Sequence, residues 1–86
     1  MSDAPAIISV YATFGSSEEA RRVARTVVEE RLAACANVLA SCTSIYRWQG
    51  RIEEAEEVPV IFKARADRSN DLIARIGELH SYDVPA

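Results

Sequence analysis

The residues of this chain that could do chemistry lie in two stretches. "EERLAACANVLASCTSIYRWQG", Glu29 to Gly50, holds both cysteines and the only tryptophan, and "ELHSYDVP" holds the only histidine, His80. Two thiols can close a disulfide, thiolate and imidazole can share a metal, and a Cys–His pair can run nucleophilic catalysis. Cys35 and Cys42 are seven residues apart. In an extended segment rising ~3.3 Å per residue their Cα atoms stand roughly 20 Å apart, against the ~7 Å limit for a disulfide. Their odd spacing also predicts opposite faces, so neither an intrachain disulfide nor a shared metal follows. In a reducing compartment both stay thiols, and their plain role is as small apolar side chains.

His80 closes a helical segment, where an imidazole caps the last carbonyls and is favoured by the helix dipole. Its other role is to ligate a divalent ion beside a carboxylate, a donor set that suits several such ions. The candidate carboxylates are those of "EEAEE": Glu53, Glu54, Glu56 and Glu57. Strand alternation separates Glu54 and Glu56 from Glu53 and Glu57, so at most half face one site, and a solvated, aggregation-resistant edge is the simpler reading. Tyr46 and Trp48 share a face, which favours hairpin packing or an interface over a ligand cage. Lys63 reads as a strand-end charge. No Gly-rich phosphate loop, Ser/His/Asp order or zinc spacing is present. An enzyme using His80 as acid or base would lack a visible activated partner.

The elements that must position these residues alternate in kind. "AIISVYATF", Ala6 to Phe14, is a strand with Ile8, Val10, Ala12 and Phe14 on one face and Ser9, Tyr11 and Thr13 on the other. "GSSEEARRVARTVVEERLAA" is a helix whose apolar stripe holds Ala20, Val23, Ala24, Val27 and Ala34, widened by Val28 and Leu32. Ser16 with Glu19 forms a capping-box signature, and Glu18 with Arg22 has the favourable i,i+4 order. "ANVLASCTSIYRWQ" and "RIEEAEEVPVIFKA" form a hairpin turning at Gln49 and Gly50. Each arm is about twice the usual 5–6 residue strand and spans on the order of 40 Å. The hairpin must therefore bend, bulge or project, and Pro59 marks a bulge or edge. Projecting edges seek partners, so an oligomer is expected. "DRSNDLIARIGELH" is a second helix with Asp67 as N-cap and Leu72, Ile73, Ile76 and Leu79 inward. "SYDVPA" opens a further strand.

The fold class is therefore α+β, a ferredoxin-like βαββα(β) plan with an antiparallel sheet and a long hairpin, whose helices cover one sheet face and leave the other for a neighbouring subunit. This path puts Cys35 at the base of the sheet and His80 at its top, so no Cys–His catalytic pair is expected within one chain.

Eighty-six residues make a single domain, 1–86, that buries a modest core. Hydrophobic residues at 49% and charged residues at 27% are those of an ordinary globular chain. The net charge of −3 and pI near 5.1 speak against nucleic-acid binding, which rests on clustered cations. No basic leader and no ~20-residue apolar run are present, so no membrane segment is expected and the cytoplasm is the default compartment.

Four linked motifs, "VVEERLAACANV", "SIYRWQGRIEEAEEV", "IFK" and "ELHSYDVP", resemble the CutA family of divalent-cation tolerance proteins over Val10 to Pro85. The resemblance implies a tight homotrimer whose long hairpins pair between neighbours. It implies divalent-metal binding, copper first, with no catalysis; animal relatives are linked to membrane anchoring of a partner enzyme. Some members are described as holding copper through a cysteine near the end of the first strand and two adjacent histidines. Ala12 and Leu79 stand at two of those places, and only His80 matches. Cys35, Trp48, Glu57, Lys63, His80 and Tyr82 match recurring motif positions. The reading is thus a metal pair of His80 and Glu57, with Cys35, Tyr46, Trp48, Lys63 and Tyr82 at a pocket or interface. Ser81 replaces the usual proline, and the family's C-terminal strand and segment are expected to be lacking. The alternative is a structural or signalling trimer that binds a small molecule or protein between subunits.

Overall fold

The computed structural model describes residues 6–82. In chain order its elements are β1 (Ile7–Phe14), α1 (Ser17–Glu29), β2 (Cys35–Val38), β3 (Cys42–Trp48), β4 (Arg51–Arg65), a 3-10 turn (Ala66–Arg68) and α2 (Ser69–Leu79). The further strand expected at "SYDVPA" falls, from Asp83 on, outside the described residues.

β4 is the organising strand. It pairs antiparallel with β1 on one side and with β2 on the other, giving the order β1-β4-β2, and its first half pairs with β3 as a two-stranded ribbon. β1 and β2 thus flank an antiparallel strand, the split βαβ arrangement the element order implies. The ribbon turns at Gln49 (φ 50°) and Gly50 (φ 79°), between paired Trp48 and Arg51. Two successive left-handed residues give the twist that suits a two-residue hairpin. The ribbon projects, and the described residues extend over 50 × 26 × 22 Å.

The first arm of the hairpin breaks at Leu39–Ser41. Val38 faces Val60 and Cys42 faces Glu57, so four steps on one arm oppose three on the other, which is a bulge. Leu39 N–H donates to the Pro59 carbonyl at 2.9 Å. A strand residue points its N–H and C=O to the same side, so the N–H that Pro59 lacks would have pointed at this break. Pro59 thus causes the bulge in the opposite arm while β4 itself runs on.

This extra residue corrects the expectation that the cysteines face opposite ways. Cys35 is opposite Lys63 and Cys42 opposite Glu57, both odd positions of one continuous strand, so the two thiols share a sheet face. Their partners still lie six positions apart along β4, and both thiols are free.

The core forms where α1 and α2 lie on the even positions of β4. Val60, Phe62 and Ala64 meet Ala12 and Phe14 of β1, Val23 and Val27 of α1, and Leu72 and Ile76 of α2. Phe14 and Phe62 meet edge to face at 6.4 Å. Ser16 accepts from the Glu19 N–H at 3.1 Å, as its cap signature implies.

Four further expectations shift. α1 stops at Glu29 instead of reaching Ala34, because Arg31 adopts φ 63° and the N–H groups of Leu32 and Ala33 turn back to Val27. Arg22 pairs with Glu19 at 3.8 Å and not with Glu18. Asp67 is not the N-cap of α2: it sits in the 3-10 turn and binds Arg65 at 2.8 Å. Ile73 is 54% exposed, so α2 turns only Leu72 and Ile76 fully inward, with Leu79 partly covered.

This difference is measurable. Leu72→Ala should destabilise by about 2–5 kcal/mol, the cost of a core cavity, whereas Ile73→Ala should stay within ~0.5 kcal/mol. Urea unfolding of both variants at matched concentration checks it, and equal losses would contradict the packing described.

Candidate functional site

The chemistry-bearing residues converge where the end of β1, the middle of β4 and the exit from α2 meet. β1 and β4 share hydrogen bonds through the even residues of β4, so Thr13, opposite Pro59, directs its backbone carbonyl to the outer edge of β1. There His80 Nε2–H donates to it at 2.6 Å. The other ring nitrogen, Nδ1, accepts the Tyr82 N–H at 3.1 Å. The ring stacks on Phe14 with centroids 4.5 Å apart and meets the Tyr82 ring at the same distance. Both ring nitrogens are thus engaged within the subunit, and His80 is 8% exposed. Its backbone N–H also closes α2 by donating to Ile76 at 2.9 Å.

Glu57 approaches from the other side of Thr13 and is equally buried. Its Oε2 accepts from Thr13 Oγ1 and from the Tyr82 hydroxyl, each at 3.0 Å. Burial pushes the Glu57 carboxyl up, but hydrogen bonds from Ser44, Thr13 and Tyr82 outweigh it and hold the carboxyl below its ordinary value. Burial first, and then the Glu57 hydrogen bond, push the Tyr82 hydroxyl up to about 12, so Tyr82 stays a donor. A second carboxylate secures the same segment: Glu19 Oε2 accepts the Ser81 N–H at 3.0 Å and Oε1 the Gly15 N–H at 3.4 Å. Burial raises the Glu19 carboxyl, and the hydrogen bonds from Ser81 and Gly15 more than reverse that. A Cβ at Gly15 would touch the Tyr82 hydroxyl at 3.4 Å, so the phenol ring packs directly over that glycine. Ser81 and Tyr82 thus form a strap wrapped around the end of β1.

Residues 8–86 match the family described as CutA1 divalent ion tolerance protein. The chain belongs to this family. It is 50% identical over 80 residues to the divalent-cation tolerance protein CutA of Pyrococcus horikoshii, an alignment covering 93% of this chain and 78% of that protein. The Thermus thermophilus protein of the same name is 45% identical over 76 residues, covering 88% of this chain and 74% of its own. The solved CutA1 structure from Thermus thermophilus superposes with a TM-score of 0.89 at 42% identity, covering 93% of this chain and 78% of that one. The CutA1 structure from Ehrlichia chaffeensis gives 0.91 at 32% identity, covering 98% and 78%.

Within this CutA1 fold the expected metal pair, His80 and Glu57, and one of the expected pocket residues, Tyr82, come together. Cys35 and Lys63 do not join them. They face each other across β2 and β4, and Lys63 in turn faces Ser9, four residues down β1 from Thr13. Cys35 and His80 therefore sit at opposite ends of the sheet. Tyr46 and Trp48 lie on the ribbon, opposite Glu53 and Arg51, on the same face of β4 as Glu57. As donors for a divalent ion, Glu57 and His80 are the right types, but each is already engaged within the subunit. Among the described residues no group of three or more His, Cys, Asp or Glu is placed to hold a metal.

Sequence reasoning missed Thr13, Gly15 and Glu19. Thr13 was legible as the last member of the bare-face set after Tyr11. Glu19 was read only as a cap, and its contact with Ser81 crosses 62 residues, beyond any local pattern.

The Glu57 carboxyl sits below its ordinary 4.5 in the folded protein, so its contribution to stability is complete above that pH and is lost as pH falls through the lowered value. Glu57→Gln should cost about 1–3 kcal/mol at pH 7 and make the decline of stability as the pH falls below about 5 shallower than in the parent. Thermal unfolding across that range tests the sign, and an unchanged acid slope would remove Glu57 from the account.

Proposed function

We propose that the chain serves divalent-cation tolerance as a self-assembling, non-catalytic homotrimer that takes a divalent ion weakly, copper first, at Glu57 and His80. The observation that carries the assembly is the apolar surface of the projecting ribbon and bare sheet face. Ile45, Trp48 and Ile52 on the ribbon are 69%, 61% and 59% exposed, with Tyr46 beside them, Tyr11 on β1 and Leu39 at the bulge also exposed. Monomeric proteins seldom leave so much apolar area open, and a two-stranded ribbon is marginal alone in water. Three copies, rather than two, rest on the resemblance to the family.

A metal at this place must compete for its ligands. An ion reaching His80 has to displace the Tyr82 N–H from Nδ1, and one reaching Glu57 has to share the carboxylate with Thr13 and Tyr82. Copper leads because nitrogen and oxygen sites bind it most tightly among the common divalent ions. The cytoplasm is the proposed compartment, in keeping with two free thiols.

A second reading is favoured by the same saturation. If Glu57 and His80 spend their hydrogen bonds on closing the subunit, the ligand-binding clefts lie between subunits and take a small molecule or a protein.

Light scattering of the purified protein with and without one equivalent of copper should give a trimer in both states, with Trp48→Asp and Ile52→Asp lowering the mass. Calorimetry should show weak copper binding that His80→Ala reduces at least tenfold. Copper affinity unchanged in His80→Ala would sink the metal assignment. A monomeric parent would sink the assembly.

A further inference from the structure

At the end of the sheet away from His80, the loop after α1 and the 3-10 turn after β4 enclose an open concavity of about 770 Å³, within the range of small-molecule sites. We infer that this concavity binds a small phosphate-bearing ligand of the nucleotide class through Arg31, Arg65 and Arg68.

The three arginines line the concavity from three segments: the loop after α1, the last residue of β4 and the 3-10 turn. Three arginines thus line one concavity although the chain as a whole carries a net charge of −3. Planar guanidinium forks match phosphate oxygens bidentately and are the usual means of recognising them. Arg65 is held in place by Asp67, its Nε and Nη2 donating at 3.2 and 2.8 Å. Of the five N–H donors on a guanidinium, three are left to face a ligand. Arg68 approaches Asp71 only at 3.9 Å, and Arg31 makes no ion pair among the described residues. The lining also includes apolar side chains, Val28 and Leu32 from α1 and its following loop. Cations together with apolar side chains suit a phosphate joined to a flat organic group better than a bare anion.

Two carboxylates also line the concavity, Glu29 and Asp67. Asp67 is spent on Arg65, which leaves Glu29 as the group opposing an anion. The floor is fixed: Ala34 N–H donates to the Lys63 carbonyl and Ala66 N–H to the Ala6 carbonyl, each at 2.8 Å, so the segments that carry the arginines are tied to the sheet.

The test is calorimetric titration of the full chain at low salt with three probes: ADP, inorganic pyrophosphate and adenosine. ADP should bind, pyrophosphate more weakly, and adenosine not measurably at the same concentrations. Arg65→Ala and Arg31→Gly should each weaken ADP at least about tenfold, the loss of one charge-assisted hydrogen bond. Glycine suits the φ of 63° at position 31, so that variant keeps the fold while losing the cation. Glu29→Gln should tighten ADP, and Arg47→Ala on the distant ribbon should leave it unchanged. No ADP binding at millimolar concentration, adenosine binding as tightly as ADP, or affinity indifferent to both Arg31→Gly and Arg65→Ala would each overturn the assignment. None of these outcomes bears on ribbon assembly or on copper, which the light-scattering and His80 measurements read separately.

Discussion

β4 runs unbroken for 15 residues with a proline near its middle, and the arrangement of the subunit depends on which side of that strand lacks an N–H. Towards β1 the hydrogen bonds come from even residues, so Pro59 costs that ladder nothing. Towards β2 and β3 one donor is missing, and the opposite arm answers with an extra residue. A bulge bends the strand and increases its twist, which separates β2, in the three-stranded sheet, from β3, in the projecting ribbon. The same register makes Thr13 and Pro59 a pair that shares no hydrogen bond, so the Thr13 carbonyl points outward and is free for His80. One imino acid thereby sets the phase of the ribbon and the location of the site.

The site is held by hydroxyls and backbone N–H groups donating to two buried or partly buried carboxylates, not by ion pairs. Glu57 joins β4 to β1 and Tyr82, and Glu19 joins the start of α1 to Ser81. Both carboxylates are acceptor-only when ionised, and hydrogen bonds to an ionised acceptor are the stronger ones, so the strap is held best while they are charged. His80 contributes as a two-ended connector, with its Phe14 stacking giving the ring a fixed plane. The exposed ion pairs, such as Arg75 with Glu30 at 2.9 Å, tie the helices together on the surface and carry little stability by comparison.

Much of this was legible in the sequence because it is periodic or local. The strand faces of β1, the α1 stripe of Ala20, Val23, Ala24 and Val27, the Ser16 cap and the turn at Gln49 and Gly50 all follow from spacing and residue type. The family was legible because four motifs stand in order. The misreadings share a cause. Parity arguments assume an unbroken strand, so one inserted residue between Val38 and Cys42 reversed the relation of the two cysteines. The end of α1 was overrun because an arginine, not the usual glycine or asparagine, takes the left-handed position. Asp67 suits an N-cap in isolation, but Arg65, two residues before it, offers a bidentate ion pair instead. The strap was invisible because its bonds join residues 62 and 25 positions apart.

The distribution of charge and apolar surface suggests why the ribbon is both acidic and aromatic. On β4 the even residues Glu54 and Glu56 lie on one ribbon face, with Ile45 opposite Glu54, while Tyr46 and Trp48 lie on the other with Glu53 and Arg51. Glu54 and Glu56 are exposed, whereas Glu53, Ala55 and Glu57 are progressively covered towards the sheet. The aromatic face is therefore continuous with the bare face of the sheet, whereas the acidic face sets Glu54 and Glu56 beside the exposed side chains of Ile45 and Ile52. An exposed ribbon carrying only apolar residues would pair indiscriminately. Glutamates set among the apolar residues restrict which surfaces can approach, and such selectivity is what a closed, symmetric assembly of identical subunits requires.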